Sequence, residues 1–524
     1  MRLDKALKQF KNYLEKILMQ PIIKEDRREI FWELTKSICP ECRKVIDARI
    51  LLRDGKVFIN KKCSEHGQFE ALFFGDADLY VKIAPYNKPG TIPLQFATEV
   101  HDGCPLDCGL CPDHQQHACL GLIEVNQVCN LDCPLCFANA GTHLAQDGFE
   151  LTYEQVEFMI DRFIAAEGNP EVLQFSGGEP SLHPQIIEFI ELANRKGIKY
   201  VMLNTNGIRI ARDDRFLEAL AKTKAHVYLQ FDGFEARTNE LIRGKSDLID
   251  IKLKALDRLA EKDMRVVLVA AVERGINEHE IGRIVEFGLS HPAVFGVNFQ
   301  PAFRAQRHIP ADPLTRMTIP DVLKNLEEQT KGLIRLDDFV PVPCCMPTCN
   351  FVTYAMIDGD TVTPITRILD ISYYLNYIKN RTLPAVNDDL LKTLERLWSS
   401  SAKVGSDEAA HDITHMIDGK ISGGNGHKSL EATRAEQRCV SCHAHLPLSE
   451  HAPRDLGRHV FMINTRDFMD PWTFNVKNAM KCCVEFLVPD GRMIPFCTYN
   501  TVGYREQVAA SLKGNRLNTL QPTD

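Results

Sequence analysis

The feature that most constrains this chain is a cysteine loop set directly behind a short apolar stretch. Cys129-Asn-Leu-Asp-Cys133-Pro-Leu-Cys136 follows Gly121-Leu-Ile-Glu-Val-Asn-Gln127. Cysteine thiolates are the usual ligands of iron–sulfur clusters, and a [4Fe–4S] cluster takes a full set of four. A set of three leaves one iron open to bind something other than protein. Further on comes Val172-Leu-Gln-Phe-Ser176-Gly177-Gly178-Glu179-Pro180, a strand ending in a glycine pair and an acid. A glycine pair lets backbone approach a bound cofactor closely. Three cysteines alone also suit zinc, or no metal; two motifs agreeing in order and context favour the cluster.

Composition narrows the remaining classes. At 524 residues the chain is long enough for about three domains. An apolar fraction of 44% and a charged fraction of 25% are those of an ordinary globular protein. A net charge of −8 argues against a broad nucleic-acid-binding face. Met1-Arg-Leu-Asp-Lys5 has no apolar run behind it, so no secretory signal is expected. No stretch approaches the ~18 uninterrupted apolar residues of a membrane span. The chain therefore reads as cytoplasmic, where disulfides rarely persist. Its 18 cysteines fall in tight groups, which favours metal.

Residues 1–95 form the first expected unit. Leu3, Leu7, Phe10, Leu14, Ile17 and Leu18 share one face of an amphipathic helix, with lysines on and beside the other. Docking on the protein itself is the favoured reading; peripheral membrane contact is the alternative. Cys39-Pro-Glu-Cys42 and Cys63-Ser-Glu-His66 flank a hairpin that turns at Asp54-Gly55. Two such knuckles bring four ligands to one tetrahedral point, as in a zinc ribbon or rubredoxin-like site holding one zinc or iron. His66 is the weakest of the four.

Residues 96–119 carry a second loop, Cys104-Pro-Leu-Asp-Cys108-Gly-Leu-Cys111, with the same spacing as the first. Cys119 lies eight residues on and offers a fourth thiolate, so this set can close around its own auxiliary [4Fe–4S] cluster. A second structural zinc is the alternative.

Residues 120–340 alternate strand and helix. Strands are expected at 121–127, 171–176, 199–204, 226–231, 265–272 and 294–299. Thr152 and Gln155 make a capping box for a helix over 153–167, and another helix starts at Pro184 and stops before Gly197. Six repeats imply an α/β fold with a parallel sheet. Ligands of such sheets sit beyond the carboxyl ends of the strands. The informative residues fall there: the Cys129 loop, Ser176 to Pro180, Asn204-Thr-Asn206-Gly and Gln230-Phe-Asp232-Gly.

Residues 341–524 hold further cysteines. A third cluster is expected on Cys344, Cys349, Cys483 and Cys497, with Cys345 and Cys482 as alternates. Lys481 to Asn500 reads as a hairpin turning at Asp490-Gly491. Residues 399–435 read as a mobile loop in which His411 and His415 are a solvated pair. Cys439-Val-Ser-Cys442-His443 matches the attachment motif of c-type haem, which the lack of an export signal disfavours.

Cysteine loop, strand and Gly-Gly-Glu-Pro together resemble the radical S-adenosylmethionine (SAM) enzymes. That resemblance implies a partial (β/α)6 barrel, flanked by the metal knuckles and the auxiliary-cluster region. It implies that SAM chelates the open iron of the cluster on Cys129, Cys133 and Cys136. The segment with Glu179 would lie along the methionine amino group. Asn204, Asn206, Gln230 and Asp232 have the chemistry for ribose hydroxyls or substrate, or for ordinary strand-end turns. The cluster delivers an electron at potentials that reach about −700 mV, and SAM cleavage yields a 5′-deoxyadenosyl radical. A ferredoxin- or flavodoxin-type donor is implied. Over nearly its whole length the chain resembles the tetraether lipid synthase family, some relatives of which are described as pterin-modifying methyltransferases. Three functions follow: coupling of unactivated carbons in lipid chains, methylation of a pterin or other small molecule, and electron carriage without catalysis. The Ser176–Pro180 segment argues against the carrier, which needs no open iron.

Overall fold

The computed structural model describes residues 29–343, 345–359, 361–367 and 460–514. The apolar stripe at 3–18, the loop with His411 and His415, the Cys439–His443 motif and Cys344 lie outside the described residues.

Four antiparallel strands come first, in spatial order: β1 (Glu29–Ile38), β2 (Val45–Arg53), β3 (Lys56–Cys63) and β4 (Gly67–Phe74). The expected hairpin turns at Asp54 and Gly55, whose φ of 50° and 70° suit the two-residue turn that matches strand twist. Ile50, Val57, Ile59 and Ala71 are buried on this sheet. Lys61 anchors it to the rest of the chain: its buried ammonium donates to Ser37 Oγ at 2.9 Å and to the Pro471 carbonyl at 2.6 Å.

The six expected core strands are all present. They are β5 (Leu120–Glu124), β6 (Val172–Ser176), β7 (Tyr200–Thr205), β8 (His226–Gln230), β9 (Val266–Val272) and β10 (Val294–Pro301). Each pairs in parallel with the next. Strands such as Val-Leu-Gln-Phe-Ser are buried along their whole length, as a sheet covered on both faces requires. The helix Tyr153–Glu167 carries the capping box of Thr152 and Gln155. The next helix runs Ile186–Arg195, two residues inside the expected start, because Pro184 sits in the turn that leads into it.

The sheet does not stop at six strands. After β11 (Val340–Pro341), β12 (Asn350–Asp358) and β13 (Thr361–Pro364) come β14 (Val460–Arg466), β15 (Val484–Leu487) and β16 (Met493–Pro495). β14 pairs in parallel with β10, and β15 in parallel with β5. The spatial order is β11-β12-β14-β10-β9-β8-β7-β6-β5-β15-β16, with β13 on β12. So the break expected at residue 340 is not a break in the sheet: the last stretch of chain extends the barrel at both edges. Exposed edges of a parallel sheet offer unpaired backbone groups, and these strands cover them. Phe468, Phe486 and Phe496 pack together, with ring centroids of Phe468 and Phe496 4.1 Å apart. Burial of each ring contributes roughly 1.5–3 kcal/mol. Among the described residues, no helix is long and apolar enough to cross a membrane.

Candidate active site

The Cys129 loop leaves the carboxyl end of β5 and is held by backbone bonds to two other segments. Gly178 N donates to Asn126 O and Glu179 N to Val128 O, each at 2.8 Å; Cys136 N donates to Arg307 O at 3.0 Å. The glycine pair is required by packing as well. A Cβ at Gly177 would overlap the Asn126 carbonyl, and one at Gly178 the Val128 carbonyl. The pair lets the cysteine loop come close. Cys129 and Cys133 are buried, and Cys136 is partly so, in an apolar nest with Leu131, Ala138, Ala140, Ile208 and Leu248. Burial pushes the Cys129 and Cys133 thiols up, the neighbouring cysteines add to this, and at Cys133 the Arg243 guanidinium opposes it. Three clustered soft donors beside a cavity fit a cluster with one open corner.

The residues after β6, β7 and β8 divide into two groups. Ser176, Asn204 and Gln230 line a cavity inside the barrel, and Asn204 Nδ2 donates to Ser176 Oγ at 3.3 Å. Glu179, Asn206 and Asp232 are buried and already engaged. The Glu179 carboxylate accepts from Thr205 Oγ1 at 2.6 Å, Asn206 N at 2.8 Å and Ser181 N at 3.1 Å. Burial raises its pKa against those bonds. It clamps the turn after β7 to the one after β6. Asn206 caps its own turn through Ile208 N and bonds Asn130 of the cysteine loop at 2.7 Å. Asp232 forms a fork with Arg243 at 2.6 and 2.7 Å and accepts from Ala271 N at 3.0 Å. Burial works to raise the Asp232 carboxyl, but Arg243 and Lys252 hold it below its usual range. A carboxylate so enclosed is not free to take ribose hydroxyls.

Arg243 carried no signal in the sequence, yet it links Asp232 to Cys133. Neither did the ion pair of Glu124 and Arg505, at 2.6 and 2.7 Å, which fastens the last helix, Tyr504–Gly514, to the end of β5. The Arg505 guanidinium also lies over Tyr499, 4.8 Å from the ring centre. Asn298 and Gln300 on β10 also line the cavity. Their alternation with Val297 and Phe299 was a readable sign of an inward face.

The other cysteines fall into three places. Cys39, Cys42, Cys63 and His66 converge, with ligand atoms all within 4.8 Å of one another and His66 Nδ1 3.6 Å from Cys63 Sγ and 3.7 Å from Cys39 Sγ. That suits one tetrahedral metal ion, with His66 as a full member. Cys104, Cys108 and Cys111 line a small cavity with His114. Cys119 instead faces the neighbouring cavity, its Sγ 3.4 Å from His117 Nε2. The parallel register of Leu120 with Val484 sets Cys483 beside Cys119, and the Cys483 carbonyl accepts from Leu120 N at 3.1 Å. Cys349 and Cys497 lie within electrostatic reach of each other, as do Cys349 and Cys483. Cys349 Sγ accepts from Asn478 Nδ2 at 3.4 Å and Cys497 Sγ from Met469 N at 3.3 Å. Of the alternates, Cys345 bonds the Val342 carbonyl and Cys482 the Val484 carbonyl.

Comparison with known proteins agrees with this arrangement. Residues 123–288 match the model of the radical SAM superfamily, and residues 31–75 match that of the HMPTM N-terminal zinc ribbon domain. A 127-residue stretch is 36% identical to the GTP 3′,8-cyclase of Chlorobaculum tepidum, covering 23% of this chain and 36% of that enzyme. Among solved structures, Streptococcus suis SuiB bound to S-adenosylmethionine matches 41% of this chain and 48% of its own, at 16% identity and a TM-score of 0.34. The 7,8-dihydro-6-hydroxymethylpterin dimethyltransferase of Methanocaldococcus jannaschii is 35% identical over 502 residues, spanning 90% of this chain and 94% of that protein. With a match of that length, a ribbon at one end and the cysteine loop at the head of the barrel, this chain is a radical SAM enzyme and belongs to the family of that dimethyltransferase.

Proposed function

We propose that this enzyme methylates carbon on a reduced pterin. The observation that carries the reading is the near full-length likeness to a pterin dimethyltransferase, N-terminal ribbon included. The cavity supports it: amides of Gln174, Asn204, Asn298 and Gln300 share the wall with aromatic rings, which suits a compact polar heterocycle better than a hydrocarbon chain.

Cys129, Cys133 and Cys136 would hold the cluster that binds SAM. When bound, the pair supplies a one-electron cleavage of SAM and a radical able to abstract hydrogen. Ser176, Asn204 and Gln230 are the side chains placed to orient SAM at the rim. Phe303, Phe468 and Phe496 keep water from the reacting centre. Cys104, Cys108 and Cys111, with Cys119 or Cys483 next to them, would hold an auxiliary cluster. Cys349, Cys497 and Cys482 or Cys483 are the described candidates for another. The knuckles Cys39, Cys42, Cys63 and His66 would hold zinc. A low-potential ferredoxin or flavodoxin would supply the electrons.

The test is anaerobic turnover of the reconstituted enzyme with reductant, SAM as the radical source, a one-carbon donor (a second SAM or a reduced one-carbon carrier) and 7,8-dihydro-6-hydroxymethylpterin. Methylated pterin together with 5′-deoxyadenosine supports the reading. Unmodified pterin, alongside fused long-chain lipids in cells that express the protein, would replace it with hydrocarbon coupling.

A further inference from the structure

Strand β10 reads Val294-Phe-Gly-Val-Asn298-Phe-Gln300-Pro, and its polar residues turn into the barrel. Asn298 is only 4% exposed. Its Nδ2 donates to the Tyr228 hydroxyl on β8, while its Oδ1 has no hydrogen-bond partner. Gln300 Nε2 donates to the same hydroxyl at 3.2 Å. A hydroxyl that accepts two amide N–H bonds keeps its own proton to donate elsewhere. The Arg466 guanidinium, next to Gln300 in the sheet by the pairing of Phe299 with Thr465, lines the same cavity. Buried polar atoms are normally paired, so an orphaned amide oxygen facing a cavity marks a place for a ligand donor.

We infer that Asn298, Tyr228 and Arg466 form the subsite that reads the lactam–amidine edge of the substrate's pyrimidine ring. This rests on the pterin reading above and names the residues that select it. The edge presents a carbonyl, then a ring N–H, then an amino group. Asn298 Oδ1 accepts from an N–H, and the Tyr228 hydroxyl and Arg466 donate to the carbonyl. Phe303, Phe468 and Phe496 line the same cavity and supply flat apolar surface for the ring. A hydrocarbon chain satisfies none of the polar groups. Gln300 touches the subsite only through Tyr228 and is a positioning residue.

The experiment uses the full-length reconstituted holoenzyme. Binding of the reduced pterin is followed by fluorescence, and steady-state methylation gives KM and kcat separately. Iron content and SAM affinity check that each variant is folded and loaded. Asn298→Ala is expected to weaken pterin binding by about tenfold or more, through KM. Asn298→Asp, which keeps the acceptor but loses the N–H that holds the Tyr228 hydroxyl, is expected to recover only part of the loss. If the wild type binds the pterin and Asn298→Ala binds it within twofold as tightly, the subsite is wrong and the proposed function stands. If the wild type binds none of a panel of pterins, the proposed function fails and the subsite fails with it.

Discussion

Two loops in this chain have cysteines at the same spacing and end in opposite places. Cys104–Cys111 precedes β5 and packs against the last helix: Cys108 N donates to the Tyr504 hydroxyl at 3.1 Å, and that hydroxyl donates to Pro105 O at 2.9 Å. Cys129–Cys136 follows β5, abuts the barrel cavity through Leu135 and Phe137, and is stitched to the Gly-Gly-Glu-Pro turn. The spacing of the thiols therefore does not decide which loop serves catalysis. Position relative to the strand separates them, because the loop after β5 lines the cavity through Leu135 and Phe137 and the loop before it does not.

The sharpest way to break this comparison is to remove one thiol from each loop. Cys133→Ala is expected to abolish formation of 5′-deoxyadenosine and to lower iron content by one cluster, measured by chromatography and iron assay. Full activity in that variant would remove the distinction. Arg243→Met comes next in expected effect. It leaves buried Asp232 with only Lys252, 3.8 Å away, and breaking such a pair costs about 3–5 kcal/mol. Thermal unfolding of the holoenzyme should register that loss, and the spectrum of the cluster beside Cys133 should change with it. Cys108→Ala is expected to lose auxiliary iron while retaining cleavage of SAM, a result that iron counting and electron paramagnetic resonance would separate. Equal loss of SAM cleavage in both cysteine variants would show that the loops act as one unit. The smallest effect is expected from Tyr504→Phe, which removes a hydroxyl from the first loop alone. About 1 kcal/mol of stability should be lost, with SAM binding to the second loop intact.

Local signals were strong where local chemistry sets the structure. The capping box at Thr152, the turns at Asp54-Gly55 and Asp490-Gly491, and the six core strands all follow from periodicity and turn residues close in sequence. The roles of Glu179 and Asp232 were less legible, because a strand-end acid looks the same whether it faces a ligand or a neighbouring turn. What it meets depends on Thr205, Arg243 and Ala271, none of which is marked as a partner. The full extent of the barrel was the least legible part. The partners of β14 and β15, β10 and β5, lie far back in the chain.

Those two late strands tie competence to the order of synthesis. A ribosome completes β5 through β10 long before it reaches Val460, and Phe468, Phe486 and Phe496 come only in the final stretch. Until then the margins at β5 and β10 are bare and the aromatic wall lacks Phe468, Phe486 and Phe496. A message that stops early therefore makes a protein with a place for metal and no enclosed chamber, exposed to the misassembly that unpaired strand margins invite.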